Sequence, residues 1–185
     1  RQHGSGNIGA TNVLRVLGKG IGIPVFLLDL LKGLIPVLVT RELADGSQAA
    51  AIASGLGSIL GHMFTFWLGF RGGKGIATSA GVLFGLMWLP ALIVIGVWIA
   101  VFFLTKYVAV ASIAGSAVLP FACYFLCRGP EGERLGAGPL FWFTVVIALL
   151  AIFRHRSNIQ RLLNGTENRF GKKPGGGENE GEVPP

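Results

Sequence analysis

Charged residues are scarce in this 185-residue chain: Asp, Glu, Lys and Arg together make up 14% of it, where a soluble domain carries about 25%. That shortage, with 51% hydrophobic residues and a mean hydropathy of +0.62, excludes an ordinary soluble globule and points to lipid. Cysteine is nearly absent. Cys123 and Cys127 lie four apart on one predicted helix, so neither a disulfide nor a thiolate zinc site is expected, and packing is their expected role. The three histidines, His3, His62 and His155, lack metal-ligand spacing, and neither a metal nor a cofactor is expected. An initiator methionine, a signal peptide and a leading hydrophobic helix are missing as well, so either the protein starts at its first polar segment or a further span stands upstream.

What the chain has in abundance is uncharged stretches. Neutral intervals cover residues 46–70, 75–105, 107–127 and 135–153, and each is long enough to cross a bilayer, which takes about 20 apolar residues. Residues 20–40 are apolar too, apart from Asp29 and Lys32. These two share a helix face at i, i+3, which suits a neutralising pair; a direct role toward substrate is the other reading. In the 31-residue interval, Pro90 falls at the midpoint and is expected to divide it into two helices. The fold class that follows is all-α, a polytopic integral membrane helical bundle. Its six spans are expected at about 20–40, 48–69, 75–89, 90–105, 108–127 and 138–153.

With six spans, the basic residues sort by side. Twelve of them, Arg15, Lys19, Arg71, Lys74, Lys106, Arg154, Arg156, Arg161 and Arg169 among them, fall on one side, and Arg41, Arg128 and Arg134 fall on the other. The positive-inside rule makes the first side cytoplasmic. The net charge of +7 and a pI near 10.0 then need no nucleic-acid partner, which would call for a basic patch with exposed aromatics. The Gly-, Pro- and Glu-rich tail over 171–185 reads as disordered.

Three polar loops share the basic side: "HGSGNIGATNVLR" (3–15), "GHMFTFWLGFRGGKGIAT" (61–78) and "FRHRSNIQRLLNGTE" (153–167). Each combines glycine, hydroxyl or amide donors, and cations, the make-up of a backbone phosphate nest. Taken singly, each also reads as close helix packing by small residues or as a headgroup-facing topology signal. A P-loop is excluded, because Leu68 and Gly75 stand where it needs Gly and Ser or Thr. A dinucleotide fingerprint is excluded by the lack of any βαβ unit. The anion is therefore expected to be smaller than a nucleotide or linked to lipid.

"GSGNIGATNVLR", "GHMFTFWLGFRGGKGIAT" and "HRSNIQRLLNGTE", in this order between apolar spans, together with "LDLLKG" at 28–33, resemble the three cytoplasmic motifs of the bacterial membrane glycerol-3-phosphate acyltransferase family PlsY. The likeness runs from about residue 1 to 167, and implies one transmembrane acyltransferase domain over 1–170. The family has seven transmembrane helices, the first ending just before the serine-glycine motif, so the resemblance implies one more helix upstream. It implies transfer of a fatty acyl group from acyl phosphate to the sn-1 hydroxyl of glycerol 3-phosphate, giving lysophosphatidic acid and inorganic phosphate. The implied setting is the bacterial cytoplasmic (inner) membrane, with the active site on the cytoplasmic side and no obligate protein partner. The His-x4-Asp pair of other glycerol-phosphate acyltransferases is missing: five residues after the histidines stand Ile8, Trp67 and Gln160.

Carried over motif by motif, the resemblance implies that Ser5, Arg15, Lys74, His155 and Asn158 are catalytic. Gly6, Asn7, Thr11, Asn12, Gly72, Gly73, Gly75 and Thr78 would bind phosphate or substrate. Asp29, Lys32 and Glu167 would support them. Ser5 is read as a phosphate contact; as an acyl-accepting nucleophile it would lack a visible His-Asp pair to activate it. His155 would orient or deprotonate the hydroxyl, with the donor phosphate as the other proton acceptor. A transporter of a small organic phosphate is the reading from another class, because broken helices around a cationic point also occur there.

Overall fold

The computed structural model describes residues 2–128, 134 and 136–171. Among these, every regular element is helical, and the sole extended pairing is an isolated bridge between Arg128 and Arg134. Helix α1 (Ala10–Leu17) is followed by α2 (Lys19–Leu43), α3 (Gln48–Met63), a 3-10 turn at Phe66–Leu68, α4 (Ile76–Leu86), α5 (Trp88–Thr105), α6 (Val108–Leu126), α7 (Pro139–Arg154) and α8 (Arg156–Leu163). Most of the tail expected to be disordered, and three of the basic residues counted above (Arg1, Lys172 and Lys173), lie outside the described residues.

Four helices are long and apolar enough to cross a membrane: α2, α3 with its following turn, α5 and α6. A fifth is reached if α7 and α8, bent by 50° at His155, are taken together. The count differs from six because of α4. Its 11 residues reach only about 16 Å at 1.5 Å per residue, half of a bilayer core about 30 Å thick. The long neutral interval does divide in two, but at Met87 and not at Pro90. Pro90 is the third residue of α5, inside the first turn, where a backbone N–H has no partner within the helix. The break falls instead at Met87, whose extended backbone (φ −154°, ψ 74°) ends α4.

Small residues set the packing. Helices α2 and α4 lie against each other along a seam where a Cβ on Gly33 would overlap the Thr78 carbonyl and one on Gly81 would overlap the Leu30 carbonyl. Lipid gives no hydrophobic drive to helix association, so close backbone approach and dispersion contacts take its place. Arg41 on α2 secures the far end of α4, donating from Nη1 to the Gly85 carbonyl at 2.9 Å. Ile59, Met63, Val82, Leu119, Cys123, Phe143 and Ile147 fill the interior between α3, α4, α6 and α7. Cys123 and Cys127 are buried free thiols within that interior. Large apolar side chains such as Leu28, Phe103 and Leu149 face outward, as helices solvated by lipid require.

The loop before α1, the α3–α4 loop, the α5–α6 turn and the α7–α8 corner meet at one end of the bundle. Lys74 reaches Asn158, Arg154 reaches Gly72, and the Phe170 N–H donates to the Lys106 carbonyl at 2.8 Å.

Candidate active site

A cavity of about 650 Å³ opens at that end and runs down between the helices. Its mouth is polar and cationic, lined by Ser5, Arg15, Lys74, His155, Asn158 and Glu167. Its shaft is apolar and includes Leu83, Val94, Trp98, Leu119 and Ile147. Val108 and Leu119, 11 residues apart on α6, both line it, so the cavity descends about 17 Å. Ile23 and Phe26 on α2 and Ile99 on α5 line the cavity and are about half exposed, and these two helices form no packed seam with each other, so the shaft has a lateral slit between them.

The first loop is built on Asn12. Its Oδ1 accepts the Ser5 N–H at 2.8 Å, and its Nδ2 donates to the carbonyls of Asn7 (2.8 Å) and His3 (3.2 Å). Asn7 Oδ1 in turn accepts the Gly9 N–H at 2.7 Å. Both ends of the Asn12 amide are thus engaged within the loop, and its contribution is to hold Ser5 at the cavity wall. Thr11, Asn7 and Arg15 line the cavity, whereas Gly6 does not.

Lys74 leads the second loop into the cavity and donates to Asn158 Oδ1. Asn158 Nδ2 donates to Glu167 Oε1 at 2.9 Å, and Arg161 Nε donates to Glu167 Oε2 at 2.8 Å. A chain of polar contacts therefore runs from Lys74 to Arg161 through a single carboxylate. Burial pushes Lys74 down from its ordinary value to about 8; Glu167 opposes this, and the cations Arg161, Arg15 and Arg154 reinforce it. Burial likewise lowers Arg15, against the pull of Glu167. Three guanidiniums and one ammonium around one carboxylate leave a positive excess that an anion would neutralise.

Gly75 adopts φ +81° and caps the start of α4, and it lines the cavity beside Lys74. Gly72 and Gly73 do not line it. Their N–H groups, expected to wrap a phosphate, donate instead to the Met63 carbonyl (3.0 Å) and the His62 carbonyl (3.2 Å). Their carbonyls accept from Arg154 Nη2 at 3.0 and 2.8 Å. Thr78 is fully buried against Gly33, away from the cavity, and its Oγ1 has no hydrogen-bond partner among the described residues.

The corner between α7 and α8 places His155 and Asn158 side by side, both almost fully buried. His155 Nδ1 lies 2.7 Å from the Ala151 carbonyl. A carbonyl oxygen only accepts, so Nδ1 carries the hydrogen and Nε2 keeps a lone pair. Burial pushes His155 down to about 4, helped by Lys74 and opposed by the Ala151 carbonyl and Glu167, so the ring is neutral at pH 7.

Asp29 and Lys32 form the expected pair, Lys32 Nζ to Asp29 Oδ1 at 2.5 Å. Asp29 lines the cavity and Lys32 does not. Sequence reasoning missed two residues here. His62 joins that pair, and Arg154 clamps the glycine loop while stacking over Phe64 at 5.6 Å. Both sat inside stretches already singled out, but His62 read as an isolated histidine and Arg154 as one basic residue among several.

The glycerol-3-phosphate acyltransferase family model matches residues 1–165. A glycerol-3-phosphate acyltransferase of Mesorhizobium japonicum is 44% identical over 173 residues, covering 94% of this chain and 83% of its own. A crystal structure of PlsY (YgiH), an integral membrane glycerol 3-phosphate acyltransferase in its glycerol 3-phosphate form, superposes with a TM-score of 0.80 at 42% identity, over 91% of this chain and 80% of that one. The lysophosphatidic acid form of PlsY gives 0.79, over 90% and 81%. A match over so much of the length, in sequence and in backbone, makes this chain an integral membrane protein of the glycerol-3-phosphate acyltransferase family.

Proposed function

We propose that this chain transfers a fatty acyl group from acyl phosphate to the sn-1 hydroxyl of glycerol 3-phosphate, giving lysophosphatidic acid and inorganic phosphate. The observation that carries the reading is the cavity itself: a cationic mouth on an apolar shaft about 17 Å deep, open sideways through a slit. An acyl phosphate fits such a shape, with its chain in the shaft and its phosphate among Arg15, Lys74 and the Ser5 loop. Relatives solved in glycerol 3-phosphate and lysophosphatidic acid forms support the acceptor and the product.

The donor is already activated, so the chain's task is to bring two phosphates together and stabilise charge at the leaving one. The acceptor hydroxyl attacks the acyl carbon and the bond from that carbon to the phosphate oxygen breaks. Held near 4, His155 is a poor base at pH 7, and its Nε2 lone pair orients the hydroxyl by accepting its hydrogen bond. The proton leaves with the departing phosphate. Lys74, fixed by Asn158, faces the phosphates as the charge develops. The basic end of the bundle is cytoplasmic by the positive-inside rule, which sets the reaction at the inner face of the bacterial cytoplasmic membrane.

The test is inorganic phosphate release from a long-chain acyl phosphate in bilayers, with and without glycerol 3-phosphate, and with lysophosphatidic acid followed by mass spectrometry. Acceptor-dependent release with matching product is the expected result. Uptake of an organic phosphate into proteoliposomes without product would replace this reading with transport.

A further inference from the structure

The reaction scheme leaves His62 without a task, yet this residue lies on the cavity wall at the end of α3. One edge of its ring meets the glycine loop: a Cβ on Gly73 would overlap Nε2 and the adjoining ring carbons. The other edge meets α2, with Nδ1 at 2.6 Å from Lys32 Nζ and 3.4 Å from Asp29 Oδ1. An ammonium only donates, so Nδ1 accepts from Lys32 and the ring hydrogen sits on Nε2, facing Gly73. The side chain is 8% exposed, so the ring has no room to swing away.

Gly73 is held at every available point. The ring lies against its α-carbon, its N–H goes to the His62 carbonyl, and its own carbonyl goes to Arg154. The next residue is Lys74. A simple i, i+3 neutralising pair on α2 would need no third member, whereas here the pair is extended to a residue that touches the loop.

We propose that His62 is a positioning residue: braced by Lys32, which Asp29 holds in place on α2, it acts through Gly73 to aim Lys74 at the phosphate in the cavity. This rests on Lys74 serving the phosphate site described above. The Asp29–Lys32 pair thereby gains a purpose beyond charge neutralisation, since it fixes the angle at which the loop leaves α3.

Steady-state kinetics on three variants of the full chain in bilayers test this: His62→Ala, Gly73→Ala, and the two together. His62→Ala should lower kcat about 100-fold, the scale of a misplacement near 1 Å, while the thermal midpoint still permits full folding at the assay temperature. Gly73→Ala should be at least as damaging, because its methyl group meets the ring. In the double variant the methyl group enters the space that the ring has left, so activity should be no lower than in His62→Ala alone. His62→Gln, which keeps an acceptor for Lys32, should recover most of kcat.

A second readout needs no turnover: the pH midpoint for acylation of the Lys74 amine by a small reagent, resolved by peptide mass spectrometry. The wild type should titrate near 8, and His62→Ala should move that midpoint upward as the loop opens to water. Losses that multiply in the double variant, or a His62→Ala protein with unchanged kcat and Lys74 midpoint, would overturn the assignment. A wild type that never turns over, but whose Lys74 midpoint shifts in His62→Ala, would sink the acyltransfer reading and leave the positioning role standing.

Discussion

The most searching test of the site is an alkaline limb at Lys74. If the ammonium must be charged to bind phosphate, kcat/KM for glycerol 3-phosphate follows its ionisation in the free enzyme. With the group held near 8, about nine-tenths is charged at pH 7 and about one-tenth at pH 9. Between those pH values kcat/KM should fall about tenfold, with a limiting slope of one decade per pH unit. Lys74→Arg keeps a charge that no accessible pH removes, so its limb should vanish even if the fixed fork lowers the absolute rate. Lys74→Ala should cost about 3 kcal/mol in transition-state stabilisation, or roughly a hundredfold or more at every pH. The assay is initial-rate phosphate release across pH 6 to 9.5 in bilayers, with spontaneous acyl phosphate hydrolysis subtracted. An unchanged limb in Lys74→Arg would show that another group, or the substrate itself, is titrating, and would refute the role given to this ammonium.

The remaining predictions bear on stability and shape. Glu167→Gln leaves the cations around Lys74 without their carboxylate, so the alkaline midpoint should drop below 8, and thermal stability should fall as Arg161 loses its partner. His155, lowered from 6.5 to about 4, is neutral in the folded chain over a range where the unfolded chain binds a proton. Stability should therefore be lost as pH falls from about 6.5 to about 4, by about 3 kcal/mol in all, and His155→Gln should flatten that decline in a thermal-unfolding series. Gly81→Ala should push a methyl group into the Leu30 carbonyl and destabilise the α2–α4 seam by about 1–3 kcal/mol, read as a lower melting midpoint. Gly115→Leu would fill the lower shaft beside Val94, so the ratio of kcat/KM for long-chain over short-chain acyl phosphates should drop; an unchanged ratio would move the acyl chain out of this shaft.

Much of this arrangement was readable in the chain because membrane spans leave a coarse signal in hydropathy and charge. The polar loops were visible as concentrations of glycine, amides and cations between apolar runs, and they do meet at one end. Partnerships were harder. Gly72 and Gly73 have the composition of a phosphate nest, but whether an N–H faces a ligand or a carbonyl depends on the path of the loop past α3, which no local pattern records. Asn12 read as a donor to substrate, yet it folds its own loop. His62 and Lys32 are 30 residues apart, so only the packing of α2 against α3 brings them together. Pro90 was placed at a break because proline is poor inside helices, though it is equally at home in the first turn of the next one.

The slit between α2 and α5 has a bearing on traffic in the leaflet. If a donor lipid enters sideways, its tail never crosses water, a passage that would cost about 12 kcal/mol for some fifteen methylenes. A lipid product would be anchored by the same kind of tail and would slide out along the same path while its headgroup stayed at the membrane surface. Only glycerol 3-phosphate and inorganic phosphate would have to be exchanged with the aqueous phase. Supply of the lipid partner would then be set by diffusion in two dimensions, and local donor density in the membrane, not bulk concentration, would govern the rate.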